Sequence, residues 1–73
     1  MAMDRRVDIQ LAPREMQVLE LLWCGLVIKE IAANLGLTYA RVKQVRLTLG
    51  HKLGVANSWQ LARRALELGL IKL

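Results

Sequence analysis

Residues 27–54 constrain the fold more than any other stretch of the chain. They read as a short helix over 28–35, a turn at Gly36, Leu37 and Thr38, and a longer, strongly basic helix over 39–53. In the first helix Ile28, Ile31, Ala32 and Leu35 recur at i, i+3, i+4 and i+7, so one face is apolar for two turns and needs cover from the rest of the chain. Gly36 stops the pattern, because the left-handed residue that closes a helix costs least as glycine. Thr38 carries an oxygen that can accept from the N–H groups opening the next helix. Helices joined by so short a turn cross steeply, which is the helix-turn-helix geometry, and the second helix of such a pair can enter a DNA major groove.

The cover must come from a small total. A chain of 73 residues makes one domain, with a core near the lower limit for stability without a metal, disulfides or a partner. Its single cysteine excludes an internal disulfide, and with a single histidine it is poor stock for a zinc site. The apolar run 21–28 is interrupted by Gly25 and followed by Lys29 and Glu30, well short of the roughly 18 apolar residues of a membrane span. The first ten residues are charged throughout rather than signal-like, so a cytoplasmic domain with no membrane partner is expected.

The net charge of +5 is unevenly placed. Between residues 31 and 66 there is no aspartate or glutamate, while Arg41, Lys43, Arg46, Lys52, Arg63 and Arg64 add six positive charges. A one-signed region of this kind attracts a polyanion, and nucleic acid is the commonest one in cytoplasm. An anionic membrane would favour a single amphipathic helix with aromatic residues along its apolar edge, whereas here the basic residues are divided between two helices.

Taken in order, residues 1–10 hold no periodic segment and are expected to form a frayed arm, in which Arg5 and Arg6 either touch phosphate or keep the arm solvated. The domain proper is expected over 11–73. Pro13 suits the first position of a helix, where its missing N–H costs nothing. Ala12 at the cap offers no side-chain acceptor, so only half of a reciprocal box with Glu15 is available. Val18, Leu19, Leu22 and Trp23 repeat with the helical period, Leu11 can pack back on them, and Gly25 ends the helix. Val27 stands where a polar cap belongs, so the second helix should depend on burial rather than on a good start.

In the third helix Val42, Val45, Leu49 and Leu53 form an inward stripe with Arg46 beside it. Lys43, Gln44 and Leu47 point the other way, with Ala40 and Arg41 a turn earlier. Gly50 inside this helix costs roughly 1 kcal/mol relative to alanine, and a close helix contact would justify it. Gly54 stops the helix. Asn57 then caps a fourth helix, with Gln60 three residues on as a capping box, running to about residue 68 before Gly69. Leu61, Ala65 and Leu68 can face the core, while Trp59, Arg63 and Leu66 lie toward another side. Trp59 either anchors a partner surface or wraps the small core. The expected fold is all-α, a compact four-helix domain containing a helix-turn-helix.

Catalysis has little to stand on in this chain. Cys24 lies in an apolar run, where a core or half-buried thiol is expected rather than a nucleophile. His51 falls on the back of the long helix with no second ligand near it in sequence. The glycines are dispersed helix ends, not a phosphate loop. The chain is not expected to be an enzyme.

One set of residues carries a family resemblance. Leu11-Ala12-Pro13-Arg14-Glu15, Val18-Leu19, Gly25, Lys29-Glu30-Ile31-Ala32, Leu35, Thr38, Val42-Lys43, Lys52-Leu53-Gly54-Val55, Ala65 and Gly69-Leu70-Ile71, in this order and spacing, resemble the LuxR/FixJ-type, GerE-like helix-turn-helix domain. The likeness runs from about residue 11 to 71. It implies a four-helix DNA-binding domain of transcription regulators, usually a homodimer on double-stranded DNA through the last helix, and no cofactor. Val42-Lys43 matches a family pattern in which the valine is buried and the basic residue faces the major groove. By the same resemblance Gln44 and Leu47 face that groove, Thr38 belongs to the DNA-binding set, and Arg41, in place of a common threonine, could supply a charged phosphate contact. Arg46 is long enough to reach backbone or a base edge, or else is a solvated arginine near phosphate. Trp59, Arg63 and Leu66 mark the expected dimer face. Ala12, Val27-Ile28, Arg41, Val45, Leu47 and Gly50 depart from the family's usual residues. The alternative is a helix-turn-helix adaptor that binds RNA polymerase or another regulator, a use that Trp23, Val27, Ile28 and Trp59 would suit.

Overall fold

The computed structural model describes residues 10–71. The arm expected over residues 1–10, with Arg5 and Arg6, lies outside them except for Gln10. Four helices follow in order: α1 (Pro13–Trp23), α2 (Ile28–Leu35), α3 (Tyr39–Leu53) and α4 (Ser58–Glu67). α1 and α3 form the central pair, since each packs against all three other helices. Among the described residues no helix is long and apolar enough to cross a membrane.

Each helix starts by a different local device. Pro13 opens α1, and the Ala12 N–H donates to Glu15 Oε1 at 2.9 Å, the half of the box that an alanine cap permits. α2 repeats this arrangement: the Val27 N–H donates to Glu30 Oε1 at 2.9 Å, so its start is better satisfied than an apolar cap suggests. Thr38 Oγ1 accepts from the Arg41 N–H at 3.1 Å, and Asn57 Oδ1 from the Gln60 N–H at 2.8 Å. The expected return bond from the Gln60 side chain is not formed, so α4 has a simple cap rather than a box.

The turn between α2 and α3 depends on Gly36 at φ +69°, which lets the N–H groups of Gly36 and Leu37 both fall on the Ala32 carbonyl. α1 stops at Trp23, with Cys24 still in right-handed helical backbone as its cap.

The core draws on every helix. Val18 and Leu19 from α1, Ile31 and Ala32 from α2, Val42, Val45, Leu49 and Leu53 from α3, and Leu61 and Ala65 from α4 are buried, with Ile71 closing the end. No polar or charged residue is buried among them. Leu68 is half-buried, packed on this cluster from just beyond α4. Cys24 corrects an expectation: it is exposed, because α1 ends one residue earlier and its apolar period no longer carries residue 24 inward.

One ion pair spans the central helices. Lys52 Nζ of α3 lies 2.7 Å from Glu15 Oε1 of α1 and also donates to the Gln10 carbonyl at 3.1 Å. The hydrogen bond from Lys52 holds the Glu15 carboxyl below its ordinary value of 4.5. Burial acts in the opposite direction, and the Ala12 N–H adds to the lowering.

Candidate nucleic-acid interface

The geometry of the candidate surface follows from the stripe that α3 buries. With Val42, Val45 and Leu49 fixed inward, a helix of 3.6 residues per turn must turn positions 40, 41, 43, 44 and 47 outward. All five are exposed, and Leu47 keeps 53% of its surface in solvent. So large an exposed apolar side chain on this basic helix stands available to a partner.

The polar groups of this face are partly organised. The Thr38 hydroxyl is engaged as the cap of α3. Arg41 Nη1 donates to Gln44 Oε1 at 3.3 Å, which engages one lone pair of the amide oxygen and leaves the amide NH₂ of Gln44 to donate. Among the described residues no carboxylate pairs with Arg41 or Lys43. Two cations in the first half of α3 thus stand at the surface with no acid paired to them among the described residues.

The other four basic residues of the acid-free span are engaged inside the molecule. Arg46 is half-exposed, and its guanidinium is turned to the α3–α4 loop, with Nη2 donating to the Ala56 carbonyl at 3.2 Å and Nε to Ser58 Oγ at 3.4 Å. Lys52 is held by Glu15. Arg63 and Arg64 both lie near Glu67, at 3.5 and 3.6 Å. His51 is exposed. Of the residues expected on the DNA face, Thr38, Arg41, Lys43, Gln44 and Leu47 share one exposed surface, and Arg46 stands at its edge with its charge directed elsewhere.

Sequence reasoning missed one residue of this surface. Tyr39 opens α3 and is 55% exposed. It precedes Lys43 and Leu47 at i, i+4 and i+8, the row that would have placed it beside them. Tyr39 also borders a shallow apolar groove with Val27 and Ile28 at the start of α2.

On α4, Trp59 is 65% exposed, with the Arg63 guanidinium 5.4 Å from its ring centroid. Of the two uses open to Trp59, wrapping the core is not the one observed. Leu66, half-buried, joins Trp59, Ala62 and Arg63 with Leu22 and Trp23 of α1 around a second shallow groove. Among the described residues no cluster of histidine, cysteine, aspartate and glutamate could hold a metal ion.

The transcriptional regulatory protein UhpA of Escherichia coli (strain K12) is 49% identical over 57 residues, which are 78% of this chain and 29% of UhpA. UhpA of Salmonella typhimurium is 47% identical over the same shares. The transcriptional regulatory protein MctR of Rhizobium johnstonii is 41% identical over 61 residues, 84% of this chain and 28% of MctR. The chain therefore spans less than a third of the length of these curated relatives. No solved structure matches it significantly. The model of the family described as bacterial regulatory proteins, luxR family, matches residues 9–65. With four helices, the short turn at Gly36 and a match over most of its length, the chain belongs to the luxR family of bacterial regulatory proteins, as a helix-turn-helix domain of the DNA-binding, transcription-regulating kind.

Proposed function

We propose that this domain binds double-stranded DNA at specific sequences by laying the first half of α3 in the major groove, as part of a transcription regulator. The observation that carries the reading is the exposed set Arg41, Lys43, Gln44 and Leu47, projecting from the buried stripe of Val42, Val45 and Leu49 with no acid among them. Lys43 contacts a base edge or phosphate, and Gln44 presents its amide to adenine once Arg41 releases the amide oxygen for a phosphate. Leu47 meets a thymine methyl. Thr38 and Arg41 sit where the start of α3 would approach the backbone, and the N–H groups there favour an anion.

One helix reads only a few base pairs, so two copies would share a roughly palindromic site. The exposed Trp59, with Arg63 and Leu66, supports pairing through α4. A second reading, an adaptor that docks on RNA polymerase or another regulator, draws support from the exposed apolar residues Val27, Tyr39 and Trp59.

Selection from randomised duplexes, followed by titration of wild type and Gln44→Ala against the preferred and a scrambled duplex, separates the two. The DNA reading expects a loss of about 1–3 kcal/mol on the preferred duplex and little change on the scrambled one. Selection that enriches no sequence would move the adaptor reading ahead.

A further inference from the structure

The sequence places Arg46 among basic residues that face DNA, and the structure gives its guanidinium another task. Nη2 donates to the Ala56 carbonyl at 3.2 Å and Nε to Ser58 Oγ at 3.4 Å, so two donors on one edge of a planar group span the loop between α3 and the first residue of α4. The loop is brought within reach by Gly50. A Cβ at position 50 would stand 2.9 Å from the Val55 carbonyl oxygen and 3.3 Å from Arg46 Nη1, the first a backbone group with little room to move. The Val55 N–H in turn donates to the Gly50 carbonyl at 3.0 Å. Gly50 has no positive φ to explain it, and close approach is what its missing side chain provides.

We infer that Arg46 is a positioning residue, a strut that fixes the DNA-reading helix α3 against the start of α4, with Gly50 as the gap that admits it. This inference rests on the DNA reading of α3. Arginine suits the place because its donors lie in a rigid fork that engages two acceptors at once, while lysine offers a single point. The strut lies on the same helix as Lys43 and Gln44, less than a full turn beyond Gln44. A change in how α3 sits against α4 therefore moves those two side chains relative to whatever α4 contacts.

The test uses the full chain carrying Arg46→Gln, Arg46→Lys or Gly50→Ala, titrated well below each melting temperature against the selected and the scrambled duplex over a salt series. A strut predicts that all three variants lose about tenfold on the selected duplex, hold their affinity for the scrambled one and keep the wild-type salt slope. A phosphate contact would instead weaken both duplexes together in Arg46→Gln, lower the slope by roughly 0.9, and be restored by Arg46→Lys. That result overturns the inference, as does a fall in melting temperature with discrimination unchanged. Selection that enriches no duplex sinks the DNA reading itself. The strut is then judged on the free protein by amide hydrogen exchange in α4. Faster exchange at residues 58–61 in Arg46→Gln and Arg46→Lys supports it, and wild-type rates overturn it.

Discussion

The two halves of α3 carry similar charge and use it differently. In the first half Arg41 and Lys43 are exposed and no carboxylate pairs with them among the described residues. In the second half Arg46 is bonded to the α3–α4 loop and Lys52 to Glu15 of α1. One end of the helix offers its charge outward while the other spends it holding neighbours in place. Counting basic residues over residues 31–66 treats them as equivalent, whereas their geometry divides them into a surface that can meet a polyanion and a frame that supports it.

The strongest way to break this division is to damage the core common to both halves. Leu49 is wholly buried, and Leu49→Ala should cost about 2–5 kcal/mol of stability, read from thermal or urea unfolding. A loss of that size is a large share of a small domain's stability, and DNA binding should fall with the folded fraction. A variant that melts like wild type would mean the two halves are not held by one core.

Lys43→Ala should separate binding from stability. It is expected to lose about 1–3 kcal/mol on the preferred duplex while its melting temperature stays within error, since the residue is exposed. Fluorescence anisotropy and circular dichroism together check both. An equal loss of stability would place Lys43 in the frame instead.

The converse is expected of Lys52 and Glu15. Lys52→Met should cost about 1 kcal/mol of stability with little change in the salt dependence of DNA binding. The pH dependence follows from the lowered Glu15 carboxyl: the pair contributes its full stability above the ordinary value of 4.5 and loses it as pH falls through the lowered one. Melting curves from about pH 7 to pH 3 should therefore show an acid-side loss that Glu15→Gln reduces. An identical acid profile in that variant would remove the pair from the account.

The smallest effect is expected at Arg64. It is 42% exposed and lies 3.6 Å from Glu67, so Arg64→Ala should change stability by no more than about 0.5 kcal/mol. If Arg64 reaches only DNA backbone, the same substitution weakens preferred and scrambled duplexes alike, and a loss confined to the preferred duplex would extend the reading surface to α4.

The bounds of α2 and α3 were legible in the sequence because their signals are local. Gly36 and Gly54 end them, Thr38 caps the second, and the stripe Val42, Val45, Leu49 and Leu53 fixes which side is in. The same periodicity set the exposure of Lys43, Gln44 and Leu47. What escaped were the contacts between residues distant in the chain. The bond from Arg46 to Ala56 joins positions 10 apart, and that from Lys52 to Glu15 joins positions 37 apart, and no local pattern announces either. At the start of α2 the side-chain cap is missing, as Val27 implies, and what the sequence reading leaves out is that a glutamate three residues on can satisfy the N–H of an apolar cap residue, as Glu30 does. Cys24 differs from expectation because Gly25 marks the end of the helix only to within a residue or two, and α1 stops at Trp23 before its period can turn residue 24 inward.

The exposed Cys24 has a consequence for experiments on pairing. It is the chain's single cysteine, so air oxidation has no internal outlet and would join two molecules through a covalent bridge. In a sedimentation run such a bridged species would have the mass of the proposed α4-paired dimer, and only a reducing agent or a Cys24→Ser control would tell them apart. The same thiol also offers a ready point for a nitroxide or fluorescent tag beside Trp23. Two tags, one on each copy, would then report the separation of the pair on DNA without altering any residue of the reading face.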